Sequence, residues 1–491
     1  MSTKESSKTD TASPLYLRVF SSLASDIVQG KRKTGEKLPS IRNCASDLGI
    51  SKNTVEAAYY ELLAEGYIES RPKSGFYVCS ISSSLKKKWA QTDESDRDQK
   101  KRQDVPEQGI EAEYIDLQAN SIDESLFPYT VLRKLYRETV SGNKAGLFLK
   151  KGEAQGDIEL RRAISTYLSW SKGLLCSENS IIIGAGTEYL LQLAIKILQK
   201  YENEQSRENP QVNFLLEEPG YDKIRSVVTD ERCPAAGIEV DNEGISIEKL
   251  PKFIPGLHTI QTVYVTPAHQ FPLGVTMSYK RRKELLLWAK QNKGFIIEDD
   301  YDSDFYYTGK INPPLQSMDD NDTVLYMGTF SRSLAPSMRV SYLVLNKKLL
   351  SIYEKFFLHY SCTVSRIEQH VIEQFITQGH FERHINRTRR VYRQRRDFMM
   401  KALFEQIPGA VISGEHAGLH FILELPFSIE DKFFEQKAGE KGLRIRTLYS
   451  PGLENKLLCI IGYAHLTEKE MSTAAEIIAH ILASEQDFLI S

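Results

Sequence analysis

The run Phe295-Ile296-Ile297-Glu298-Asp299-Asp300-Tyr301-Asp302-Ser303-Asp304-Phe305 turns from wholly apolar to strongly acidic at its fourth residue. An apolar strand without alternation is covered on both faces, the situation of a strand inside a parallel sheet flanked by helices. The acidic residues then fall at the carboxyl end of that strand, the edge along which open α/β sheets hold ligands. The spacing lacks the glycine and terminal glutamate of a calcium loop, and no metal is expected. Two readings stay open: a solvated acidic turn, or a carboxylate held in place for a ligand.

Outward from this run the pattern repeats. Short apolar stretches occur at Ser180-Ile181-Ile182-Ile183, Val212-Asn213-Phe214-Leu215-Leu216, Thr262-Val263-Tyr264-Val265, Val324-Leu325-Tyr326 and Val340-Ser341-Tyr342-Leu343-Val344. Helical stretches such as Lys280 to Asn292 separate them. The alternation predicts an α/β domain over residues 114–380, its mainly parallel sheet covered on both faces. A long basic helix begins near Phe381. Beyond Val411, the strands Leu419 to Leu425 and Leu457 to Ile461 with two helices predict a small α+β lobe over 381–491.

Toward the amino terminus the composition changes. Residues 80–113 carry Ser82-Ser83-Ser84, Lys86-Lys87-Lys88 and mixed charges with almost no aliphatic periodicity, so a solvated linker is expected. Before it, Leu15, Val19, Leu23 and Ile27 recur every four residues and predict an amphipathic helix. Ile41, Cys44, Ala45 and Leu48 give a second helix its apolar face, Gly49 turns the chain, and Ser51 caps a third with Val55, Ala58, Tyr59 and Leu62. Tyr67 to Arg71 and Phe76 to Val78 then read as a hairpin around Pro72-Lys73-Ser74-Gly75. Three helices and a hairpin over 14–79 make a winged helix-turn-helix.

The 491 residues carry 63 basic and 65 acidic side chains, a formal charge of −2, so any affinity for nucleic acid must be local. Six dispersed cysteines disfavour both a zinc site and a disulfide framework. No apolar run approaches the roughly 18 residues of a membrane span, and a cytoplasmic protein is expected.

Ser51-Lys52-Asn53-Thr54 opens the third helix, where a recognition helix meets base edges and phosphates. Arg42 on the second helix and Lys73 at the hairpin tip lie where backbone or minor-groove contacts would form. Leu38-Pro39-Ser40-Ile41-Arg42, Ser51-Lys52-Asn53-Thr54-Val55 and Gly66-Tyr67-Ile68 resemble the GntR family of bacterial winged-helix regulators. In the large domain, Gly184-Ala185-Gly186-Thr187-Glu188 follows a strand and opens a helix, a place suited to a phosphate; a tight strand-to-helix turn is the alternative.

Gln155-Gly156-Asp157-Ile158-Glu159-Leu160-Arg161, Thr266-Pro267-Ala268-His269-Gln270-Phe271-Pro272-Leu273-Gly274 and the run from Gly328 to Arg339 resemble fold-type I aminotransferases. The order winged helix, linker, aminotransferase-like domain resembles the MocR/GabR regulators. That resemblance implies pyridoxal 5'-phosphate or a related vitamer, with Asp299 toward the pyridine nitrogen, Tyr301 toward the ring hydroxyl and Tyr221 on the ring face. It places the phosphate at Gly186, Thr187, Ser331 and Arg339. It also implies a homodimer on a double-stranded DNA operator, responding to a small-molecule effector such as an amine or amino acid.

Departures from the pattern matter as much. In Gly328-Thr329-Phe330-Ser331-Arg332-Ser333-Leu334 the family's aldehyde-binding lysine position is Arg332. A guanidinium stays charged and cannot make that covalent link. Noncovalent cofactor binding with no catalytic residue and no transaminase turnover is therefore expected. An arginine often found before the final Gly-Tyr is replaced by Ile460, which weakens the expectation of an α-carboxylate clamp. Lys223, Arg444, Arg446 and Lys456 are candidate substitutes for that arginine, each read as a surface charge rather than a ligand contact.

Overall fold

The computed structural model describes residues 15–71, 74–80, 114–118, 122–141, 145–205, 211–252, 259–308, 312–425, 430–448 and 456–490. The linker from 81 to 113 and Lys73 lie outside them. Among the described residues no helix is long and apolar enough to cross a membrane. The chain divides into two units, Met1–Glu111 and Ala112–Ser491.

The first unit contains α1 (Leu15–Val28), α2 (Ile41–Leu48), α3 (Lys52–Ala64) and the antiparallel hairpin β1 (Ile68–Arg71) with β2 (Gly75–Val78). Its core joins Val19, Leu23, Ala24 and Ile27 of α1 to Val55, Ala58, Tyr59 and Leu62 of α3. One expectation fails here, because Leu48 is 51% exposed. Gly49 adopts a left-handed φ of 62° and the Ile50 amide donates to Ala45 O at 3.1 Å, which swings Ile50 onto the core in place of Leu48. Both later helices are capped by serine: the Ser40 side chain accepts from Asn43 N, and Ser51 from Thr54 N.

The second unit begins with β3 (Ile115–Asp116), α4 (Tyr129–Ser141), α5 (Ile158–Lys172), β4 (Ile181–Gly184), α6 (Thr187–Gln205), β5 (Gln211–Glu218) and α7 (Asp222–Asp230). Next come β6 (Ala235–Asp241), β7 (Gly244–Ile245), β8 (Thr259–Val265), α8 (Tyr279–Asn292), β9 (Phe295–Asp300), β10 (Val324–Thr329) and β11 (Ser341–Val344). They are followed by α9 (Lys347–Phe356), α10 (Arg366–Thr377) and α11 (His380–Gln406). The chain closes with β12 (Val411–Ser413), β13 (His420–Leu425), α12 (Asp431–Glu440), β14 (Leu443–Arg444), β15 (Arg446–Leu448), β16 (Leu457–Gly462) and α13 (Glu468–Ile490).

Eight strands form the main sheet in the order β4-β11-β10-β9-β8-β5-β6-β7. It is mainly parallel; β11 runs antiparallel to both neighbours, and β7 to β6. Leu190, Leu191, Ala194 and Leu198 of α6 cover one face, while Leu160, Ile164 and Leu168 of α5 belong to the core on the other. β12, β13, β16 and β15 make a separate antiparallel sheet. β3 pairs with β14, so the start of this unit is tied to its carboxyl-terminal part.

Every residue of β9 is buried, its three carboxylates included. The solvated-turn reading of the acidic run is thereby excluded. Pleating sends alternate side chains to opposite faces. Glu298 accepts from the amides of Leu315 at 2.9 Å and Gln316 at 3.0 Å, and Asp300 binds Lys172 Nζ at 2.7 Å. Asp299, between them, points the other way, toward Tyr264.

Candidate functional site

Loops at the carboxyl edge of the parallel strands converge on one cavity of about 280 Å³. Thr187 comes from the start of α6, Tyr221 from the turn after β5, Thr266 and Phe271 from the loop after β8, and Asp299 and Tyr301 from the end of β9. Ser331 and Arg332 follow β10, and Arg339 precedes β11. Seven of the eight residues singled out in the sequence as cofactor contacts thus share one lining. The eighth, Gly186, sits next to Thr187 with a φ of +99°, and a Cβ there would run into the Arg339 guanidinium. The positive φ favours glycine at that position, since a residue with a Cβ would be strained there.

Asp299 Oδ2 accepts from the Tyr264 hydroxyl, while Oδ1 is buried without a hydrogen-bond partner among the described residues. Burial pushes this carboxyl up to about 7, against the pull of Tyr264 and with repulsion from Asp300, Asp302 and Glu188. The same desolvation carries Glu217, which accepts from the Thr266 hydroxyl at 2.7 Å, up to about 7. Tyr301 donates its hydroxyl to His269 O at 2.8 Å, and its ring centroid lies 6.0 Å from Arg332 Cζ. His269 in turn holds Asp302 at 2.9 Å. Tyr221 is 44% exposed and stands edge-on to Phe271, with ring centroids 5.4 Å apart.

Ser331 Oγ is a second buried polar atom of this lining without a hydrogen-bond partner among the described residues. Arg339 and Lys223 both bind the Glu188 carboxylate, Lys223 at 2.5 Å. Burial alone would raise Glu188, yet these two cations and the helix amides bring it down to about 2. A group bearing negative charge and several acceptor oxygens fits the Thr187, Ser331 and Arg339 region. A ring carrying an N–H fits the free oxygen of Asp299, so the residues present are suited to a pyridoxal phosphate.

Sequence reasoning passed over Glu188, Tyr264 and Glu217. Tyr264 pairs in register with Ile297, two residues before Asp299, so strand alternation alone puts Tyr264 and Asp299 on one side of the sheet. Glu188 lay in a quoted motif but carried no recognisable signal. Of the four candidate substitutes for the carboxylate-binding arginine, Lys223 is half exposed yet lines the cavity, against its reading as a surface charge. Arg446, Lys456 and Arg444 pair instead with Asp222, Glu424 and Asp116.

In the first unit, Arg42, Lys52 and Asn53 are exposed on α2 and the first turn of α3. Ser51 and Thr54 bond each other at 2.7 Å while Ser51 caps α3, so their oxygens shape the helix start.

Residues 15–78 match the family model described as bacterial regulatory proteins, gntR family. The chain is 36% identical over 433 residues to the uncharacterized HTH-type transcriptional regulator YdeL of Bacillus subtilis, covering 88% of each protein. It is 26% identical over 484 residues to the probable rhizopine catabolism regulatory protein MocR of Rhizobium meliloti, covering 94% of this chain and 92% of that one. Among solved structures, the multiple substrate aminotransferase from Thermococcus profundus superposes with a TM-score of 0.64 at 24% identity, over 77% of this chain and 93% of the other. That likeness establishes an aminotransferase-like fold for the second unit.

Proposed function

Because the chain belongs to the HTH-type transcriptional regulators of the MocR kind, a GntR winged helix joined to an aminotransferase-like fold, we propose that its second unit senses a small ligand without transaminase turnover. The ligand is pyridoxal 5'-phosphate or a related vitamer, held noncovalently. Asp299 meets the ring nitrogen, Tyr301 the ring hydroxyl and Tyr221 the ring face. Gly186, Thr187, Ser331 and Arg339 receive the phosphate. When bound, such a cofactor would offer an electron-accepting ring; Arg332, charged at all relevant pH, supplies neither the amine that would anchor it nor a base for proton transfer.

The observation that carries this reading is the presence of two buried oxygens without a partner among the described residues, Asp299 Oδ1 and Ser331 Oγ, in residues lining one cavity with Arg339. Such atoms are costly unless a ligand or water satisfies them. Lys52 and Asn53 read the operator from the start of α3, Ser51 and Thr54 set that helix end, and Arg42 and Lys73 hold the DNA backbone. The protein acts in the cytoplasm as a homodimer on double-stranded DNA. Ligand binding shifts its population between arrangements that differ in operator affinity, by the difference in their affinities for the ligand. Calorimetry with pyridoxal and pyridoxamine phosphates tests the sensor: saturable heat supports it, and no heat at millimolar ligand overturns it.

A further inference from the structure

Helix α11 carries Arg383, Arg387, Arg390 and Arg393 along one side, spaced by four, three and three residues. All four are exposed. Over ten residues they extend about 15 Å along the axis. Among the described residues no carboxylate comes within ion-pair distance of any of them. Three further basic residues of the helix meet carboxylates: Arg396 holds Asp397 at 2.5 Å, Lys401 holds Glu405 at 3.7 Å and Arg395 reaches Asp123 at 2.6 Å. Arg389 bonds the neutral Asp304 O and Asn386 Oδ1, and Glu382 is exposed. Arg383 meets only neutral acceptors, Gln378 O at 2.9 Å and His380 Nδ1 at 3.0 Å.

His380 is pushed down first by burial and then by Arg383 and by Lys134 of α4, which itself pairs with Glu138 at 3.8 Å. His384 is lowered by burial and by Arg387, against a bond to Ser333 O. Like charges at helical spacing oppose helix stability. In a chain whose formal charge is −2, this is a local concentration of positive charge with no internal counter-ion among the described residues.

We propose that this side of α11 is a second DNA-contact surface, which takes phosphates of double-stranded DNA without reading bases. Guanidinium forks suit phosphate oxygens, and four of them along one line suit a polyanion better than a small ligand. The inference does not depend on the cavity or its ligand. It rests only on the chain being a DNA-binding regulator.

The test uses the full chain and a long fluorescent duplex of random sequence, with binding followed by anisotropy as salt is raised. Replacing all four residues by glutamine is expected to reduce the slope of log affinity against log salt by about 3.6, since each neutralised phosphate contributes about 0.9. The fourfold arginine-to-lysine protein keeps most of that slope and controls for misfolding. A slope unchanged in the glutamine variant overturns the proposal. If that unchanged slope comes with an altered oligomeric state in size-exclusion chromatography, the stripe is a contact between copies, and the proposal is equally overturned.

Discussion

Glu188, in the first turn of α6, forms an ion pair with Arg339, in the left-handed turn before β11, and its second oxygen holds Lys223 at 2.5 Å. A carboxylate of the protein therefore engages the cations that a phosphate would seek. A bound phosphate must take them over.

Replacing Glu188 by glutamine should tighten pyridoxal 5'-phosphate binding. Partly exposed pairs of this kind are worth up to about 1 kcal/mol, so a gain of about three- to fivefold is expected in calorimetry. Unchanged or weaker affinity would show that Glu188 does not compete with the ligand.

Arg332 tests the separation of binding from chemistry. With pyridoxal 5'-phosphate and borohydride, the native protein should yield no adduct at residue 332 in peptide mass spectrometry. Arg332→Lys should yield one, because an amine can be alkylated where a guanidinium cannot. An adduct at Arg332 in the native protein, or none in the lysine variant at saturating ligand, would refute this.

Asp299 should leave a signature in stability against pH. Its carboxyl sits at about 7 in the folded protein, above the ordinary 3.8. Between those values the folded state retains a proton that the unfolded state has lost. Stability of the ligand-free protein therefore falls as pH rises through that window and levels off above about 7. Each pKa unit corresponds to about 1.4 kcal/mol. Asp299→Asn should flatten part of that decline and melt higher than the native protein on the alkaline side. Glu217 and Glu298, also raised to about 7, should keep the remainder. Coincident melting curves for the two proteins across the range would rule out a raised Asp299.

Two neighbours at the start of α3 should fail in different ways. Lys52→Ala should leave thermal stability intact and weaken operator binding, by about 1 to 3 kcal/mol if the lysine meets a base edge. Ser51→Ala removes the cap that binds Thr54 N and should cost about 1 kcal/mol of stability in the first unit. Gel shifts and melting curves on both variants separate the two effects. A normal gel shift for Lys52→Ala would take that residue out of the interface.

Much of the site was legible because its residues sit where chain direction demands. Thr187 and Ser331 follow, and Asp299 lies at the end of, a strand that periodicity exposes, and a parallel sheet brings such ends to one edge. The short strands β6, β7, β12, β14 and β15 escaped notice. They have two to seven residues and little apolar pattern, and their pairing partners stabilise them more than their own composition does. Leu48 misled for a related reason: helical spacing marks the core face of a helix, but not where a glycine turn removes its last residue from that face.

By itself the sequence determined the two-part architecture, the direction of the main strands and the residues that gather at their carboxyl ends, since hydrophobic periodicity and turn chemistry are local. It also set the permanent charge at residue 332. Only the tertiary structure decided that, among the described residues, Asp299 is buried with one oxygen unpartnered, Tyr264 and Glu188 belong to the cavity, and four arginines of α11 face outward without carboxylates. Those outcomes depend on which distant side chains approach each group and how much water they displace, and burial and charge pairing act through space rather than along the chain.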